Sequence, residues 1–303
     1  MNVLNKLIVA AIPVVPKPII RHFANRYIAG EEITDAVQTV KKLNAEGCSA
    51  TLDVLGEDIT ERHEATASRD KILEVLQTIN KENLESNVSL KPTQLGLKLD
   101  KNFCLENAKM ILQIAKDLNN FVRLDMEDSS CTDDIIWLYR ELRKDFSNTG
   151  IVLQAYLRRT SDDAIKLMKA GYGNFRFCKG IYIEPEAIAF KQPDEINANF
   201  ISVLNTMWDM NAYVGVATHD DKLVDAAHEM IAARKLQKNE FEFQMLLGVR
   251  PELRKKLVRE GFKVRIYVPF GKHWYRYSIR RFKENPQMAG YVFKAIFSGF
   301  NSN

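Results

Sequence analysis

Cysteine is scarce in this chain of 303 residues. Cys48, Cys104, Cys131 and Cys178 stand far apart, with no CxxC spacing and no histidine beside them, so neither a zinc site nor a disulfide framework is indicated. That usage points to a reducing, cytoplasmic compartment. The glycine fingerprints of nucleotide-binding loops are missing too. Gly171-Tyr172-Gly173 is followed by Arg176 where a dinucleotide-binding turn needs its third glycine. Gly271-Lys272 has Ile266 where a phosphate loop needs its first. No long block of one charge occurs, and the net charge is only +4, which argues against a nucleic-acid partner. The one long apolar run, Leu7 to Ile20, is broken by Pro13, Pro16, Lys17 and Pro18, well short of the roughly 20 residues a membrane span needs. Either it folds against the domain or it touches a membrane surface as a peripheral contact, and the sequence leaves both open.

What is present is a rhythm. Hydrophobic content of 46% allows a sizeable core. After a helical pattern at Ile33, Val37, Val40 and Leu43, closed near Gly47, β-like and helix-like stretches alternate. The strands are expected at 50–55, 88–95, 121–126, 151–156, 174–178, 213–217, 241–246 and 262–268. Between them lie apolar-periodic segments such as 62–83, 133–146 and 222–233. Eight such alternations over about 240 residues fit a (β/α)8 TIM-like barrel, here 48–303, preceded by an N-terminal helical extension over 1–47. A doubly wound open sheet alternates similarly, but without its cofactor fingerprint it is the weaker reading.

Ionisable or amide side chains fall near nearly every expected strand end: Asp53, Lys91 and Gln94, Asp125 and Glu127, Gln154, Arg176 and Lys179, Thr218, His219 and Asp220, Gln244, and Tyr267. In a barrel that end carries the active site. Burying Lys91, Asp125 and Arg176 together is unfavourable unless they pair or meet a charged ligand. Cations dominate the ring on this reading, which favours an anionic ligand or an acid substrate with a phosphate-bearing cofactor. His219 has no second histidine or acidic cluster at ligand spacing, so no metal is expected. The last strand is expected to stop at Pro269 and Gly271. Beyond it Tyr277, Arg280, Arg281 and Glu284 follow at helical steps. Paired guanidiniums suit a planar carboxylate, although a solvated basic face would look the same.

From Arg26 to Gln287 the chain resembles the proline dehydrogenase family of the single-function bacterial type. The motifs RYIAGE, ATLDVLGE, SLKPTQLGLKLD, VRLDMEDS, LQAYLRRT, RFCKGIYIEPE, GVATHD, FEFQMLLGVR and YVPFGKHWYRYSIRRFKENP carry the likeness. The resemblance implies a distorted barrel binding FAD, oxidation of L-proline to 1-pyrroline-5-carboxylate, and a quinone as electron acceptor. It implies that Arg280 and Arg281 clamp the substrate carboxylate with Lys91 beside them, and that Tyr267 and Tyr277 wall the pocket. Arg176 would face flavin N5, with Asp125 positioning Lys91 and the flavin edge. Met126, Gln154, Lys179, Gly180, Ile181, Thr218, His219 and Gln244 match flavin-binding positions, and Glu284 an ion-pairing acid of the closed site. Cys178 replaces an apolar residue and Pro92 a leucine, and Ile181 replaces a usual alanine, a departure that bears on substrate scope. Oxidation of another cyclic amino acid such as hydroxyproline, and a non-catalytic ligand-binding barrel, are the alternatives. Oligomeric state is not legible.

Overall fold

A computed structural model of the chain describes residues 17–56 and 59–284, with the side chains of 19, 23 and 280–284 outside that description. Eight parallel strands close into a barrel in sequence order: β1 Ser49–Val54, β2 Ser86–Leu90, β3 Val122–Leu124, β4 Thr149–Gln154, β5 Asn174–Cys178, β6 Tyr213–Ala217, β7 Phe241–Leu246 and β8 Val264–Phe270. The helices are α1 Lys17–Ala24, α2 Ile33–Ala45, α3 Arg62–Lys81, α4 Lys101–Asp117, α5 Thr132–Arg143, α6 Thr160–Lys169, α7 Pro193–Asp209, α8 Asp221–Arg234, α9 Pro251–Arg259 and α10 Trp274–Glu284. None of these helices is long and apolar enough to cross a membrane.

Local chemistry explains the boundaries. A capping box between Glu61 and Glu64 starts α3, whose Ala65, Ile72, Val75, Leu76 and Ile79 make one buried stripe. Asp100 caps α4 by accepting from the backbone N–H of Asn102 at 2.9 Å. The expected bounds of β5, β6 and β7 coincide with the observed ones. Strand β2, expected at 88–95, ends at Leu90 because Pro92 lacks an N–H and opens a 3-10 turn over Pro92–Leu95. Lys91 therefore sits just past the strand and Gln94 on the turn. The expectation that Pro269 stops β8 is also corrected, since the strand runs on to Phe270. At that end the ladder needs carbonyls, which proline keeps: Pro269 O accepts from Ala29 N–H at 2.9 Å and Phe270 O from Leu55 N–H at 2.8 Å.

Period-two alternation sorts the strand side chains into two shells. Leu52, Val88, Leu124, Ile151, Phe175, Val214, Phe243 and Ile266 belong to one buried apolar cluster that continues into the helices. The alternate positions carry Asp53, Ser89, Arg123, Arg176, Glu242, Gln244 and Arg265, which bond to one another across the barrel interior, to its backbone or, for Asp53, to Lys91. The outer ring closes between β8 and β1 with α2, which packs on both strands. The last helix, α10, packs against α1 instead, with Tyr277 and Trp274 meeting Ala24, Ile28 and Leu55.

Candidate active site

A cavity of about 390 Å³ opens at the carboxyl end of the barrel. Lys91, Asp125, Met126, Gln154, Arg176, Lys179, Gly180, Ile181, Thr218, His219, Gln244 and Tyr267, singled out above, all line it. Tyr277 is buried in the small cluster beside it. Arg280, Arg281 and Glu284 lie on the backbone of α10, and their side chains fall outside the described residues.

At the centre is Asp125. Its Oδ1 accepts from Arg176 Nη1 at 2.7 Å and from the Ser89 hydroxyl, and its Oδ2 accepts from Tyr267 OH at 2.7 Å. Burial alone would raise this carboxyl's pKa. The Arg176 and Lys91 charges, with the Ser89 and Tyr267 hydrogen bonds, outweigh burial and hold it below the usual range. Burial, then the Asp125 and Asp53 carboxylates, push the Tyr267 phenol well above its ordinary value, so the hydroxyl stays a donor. The Arg176 guanidinium lies 5.0 Å from the centre of the Tyr267 ring.

Lys91 is placed differently from the expectation that Asp125 positions it. Its Nζ bonds Asp53 Oδ1 at 2.6 Å, against 3.8 Å to Asp125 Oδ2 and 3.3 Å to Tyr267 OH. Burial disfavours the Lys91 charge, yet Asp53 and Asp125 together raise its pKa. Asp53 is almost completely buried and its Oδ2 has no hydrogen-bond partner, so burial raises its carboxyl despite Lys91. The ring is thus less cationic than it looked. Lys91, Arg176 and Lys179 are matched by Asp53, Asp125 and Asp220.

The opposite wall is shaped by backbone. Gly180 has φ +105°, and a Cβ there would lie 2.1 Å from the Tyr156 ring. His219 Nε2 accepts from the Leu246 N–H at 2.9 Å. Burial, helped by the Arg250 charge, lowers the His219 pKa to about 4 and keeps the ring neutral. Gln154 lines the cavity with its buried Oε1 unpartnered.

One contributor escaped the sequence reading and another was read only in part. Ser89 looks like an ordinary strand serine, and only β2–β3 pairing sets it against Asp125. Asp53 was visible as an ionisable residue near a strand end, but its link to Lys91 was not.

The family model described as proline dehydrogenase matches residues 36–293. The chain is 38% identical over 273 residues to proline dehydrogenase 1 of Bacillus subtilis strain 168, covering 90% of each protein. It is 34% identical over 283 residues to the proline dehydrogenase of Deinococcus radiodurans, covering 92% of this chain and 91% of that one. Among solved structures, proline utilization A from Bdellovibrio bacteriovorus superposes with a TM-score of 0.81 at 24% identity. The match spans 88% of this chain and 33% of that larger one, and it supports the barrel fold. With a family match over most of its length and relatives of nearly equal extent, the chain belongs to the proline dehydrogenase family.

Proposed function

We propose that this chain oxidises L-proline to 1-pyrroline-5-carboxylate with a bound FAD and passes the electrons to a quinone reached from the cytoplasmic side. The observation that carries this is the convergence of side chains from widely separated strands on one cavity, centred on the Asp125–Arg176–Tyr267 cluster. The residues present suit a flavin. The unpartnered Gln154 Oε1 is an acceptor awaiting an N–H donor, Lys179 and Thr218 offer a cation and a hydroxyl, and Gly180 admits close approach to the backbone. When bound, FAD supplies a two-electron acceptor for the hydride leaving the ring carbon next to nitrogen.

The chain's own groups supply position and charge. Arg280 and Arg281 are assigned the carboxylate, Tyr267 and Tyr277 the faces of the ring, and Arg176 the charge that builds up as hydride departs. Lys91, held protonated, disfavours a second ammonium beside it and so favours the neutral amine that can release hydride. Glu284 is assigned to closing the site.

The test is the visible spectrum of the purified protein, followed by anaerobic L-proline. A flavin spectrum bleached by L-proline supports the reading, and a colourless protein, or a flavin reduced by dithionite but not by L-proline, refutes it. Arg281→Met should raise the L-proline KM on the order of 100-fold with flavin retained, the scale of a lost charge-assisted bidentate contact. An unchanged KM would remove the clamp.

A further inference from the structure

One buried carboxylate below the cavity has no part in the scheme above. Glu242 on β7 is 2% exposed. Its Oε1 accepts from Arg265 Nε at 2.8 Å and from Gln244 Nε2 at 2.7 Å. Gln244 Oε1 accepts from Arg176 Nε at 2.6 Å, and Arg176 Nη1 continues to Asp125. A hydrogen-bonded chain therefore runs from the barrel interior up to the guanidinium in the cavity wall.

Its route needs a gap in β6. Arg176 lies on β5 and Gln244 on β7, so the Gln244 side chain must cross the strand between them. The register places Gly215 opposite both Arg176 and Glu242. A Cβ at Gly215 would sit 2.4 Å from Gln244 Nε2 and 2.9 Å from its Cδ. The lane exists only because that side chain is a hydrogen atom.

The carboxylate solves a second problem. The two ends of a glutamine amide have nearly the same shape, and only one of them can accept from a guanidinium. An ionised carboxylate is an acceptor only, so Glu242 takes the NH2 end and leaves the carbonyl for Arg176. The Arg265 charge and its hydrogen bond, with Lys263 and Gln244, outweigh burial and hold Glu242 ionised, with a pKa of about 2.

We infer that Glu242 and Gly215 are positioning residues for the redox centre: Glu242 fixes the sense of the Gln244 amide and Gly215 gives it room, so that Arg176 is presented to the cavity in one orientation. This rests on the flavin reading above. The competing account is that Glu242 only balances Arg265 and Lys263, which lie at 2.8 and 3.4 Å.

The experiment compares wild-type, Gly215→Ala and Glu242→Gln holoenzymes by flavin content, thermal midpoint and the ratio of reduced to oxidised flavin at a potential set by a reference dye. If Arg176 is misplaced, both variants hold less reduced flavin, by at least threefold on the order-of-magnitude scale of one weakened charged contact, and kcat falls more than KM changes. The signs separate the accounts. Removing the Glu242 charge with Arg176 still in place would increase the reduced fraction, so an increase in Glu242→Gln overturns the inference. A lowered midpoint with wild-type ratios in both variants also overturns it, as does a normal ratio in Gly215→Ala alone. Should Gly215→Ala fail to fold, the sign of the Glu242→Gln change decides. A wild-type protein without flavin removes both this inference and the proposed function, whereas a proline-reducible wild type with unmoved variants removes this one alone.

Discussion

The two faces of the same eight strands are built on opposite principles. The outward face is predominantly apolar, and its apolar side chains merge with the helix stripes in one continuous core. The inward face is polar for most of its height, and its groups are held by named partners: Asp53 by Lys91, Asp125 by Arg176 and Tyr267, Gln244 by Glu242. Outside, many interchangeable contacts share the load, and volume is what counts. Inside, each charge depends on one or two specific neighbours, and losing a partner leaves an uncompensated group in low dielectric. The outer face therefore tolerates changes that keep its volume, whereas the inner face ties both stability and binding to single partners.

That contrast predicts a series of effects. Lys91→Met should be the most damaging, because it strips the buried Asp53 of its counter-charge: a loss of about 3–5 kcal/mol in denaturant unfolding together with collapse of proline turnover. Phe177→Ala removes an outward ring stacked on Phe200 at 4.5 Å. It should cost about 3–4 kcal/mol while any bound flavin keeps its spectrum and its reduction by L-proline. A changed flavin spectrum there would blur the division between faces.

A pH titration probes the wall opposite Asp125. His219 is neutral and accepting in the fold, with its pKa lowered from 6.5 to about 4. The unfolded chain binds the proton first, so stability is full above pH 6.5 and falls as the pH drops toward 4. Between pH 7 and pH 5 the wild type should lose roughly 2 kcal/mol from this group, and His219→Gln should lose less over the same interval. The smallest effect is expected at the periphery. Lys109 pairs with Asp145 at 2.9 Å, but both side chains are about half exposed. Lys109→Ala should change stability by no more than about 0.5 kcal/mol in the same denaturant assay.

Much of this was legible in the chain itself. The alternation of strand and helix signals, with the bounds of β5, β6 and β7, follows from local periodicity, since each element advertises its own repeat. Polar residues at inward positions were visible too, because a polar residue interrupting an apolar strand pattern stands out. The end of β2 was misjudged: Leu95 and Leu97 are apolar but fall out of phase with Val88 and Leu90, and Pro92 starts a turn. Ser89 and Glu242 were overlooked because neither is unusual where it stands in the sequence.

The sequence alone determined the number of strand-helix units, which face of each strand is apolar, and the residues from Lys91 to Tyr267 that meet at the cavity. Tertiary structure decided the pairings: Asp53 rather than Asp125 as the close partner of Lys91, Gln244 reaching over Gly215 to Arg176, and α2 rather than α10 covering the seam between β8 and β1. The physical reason is that periodicity records how each segment meets the core, whereas the choice of hydrogen-bond partner depends on residues 38 to 142 positions apart being brought within hydrogen-bond reach by barrel closure.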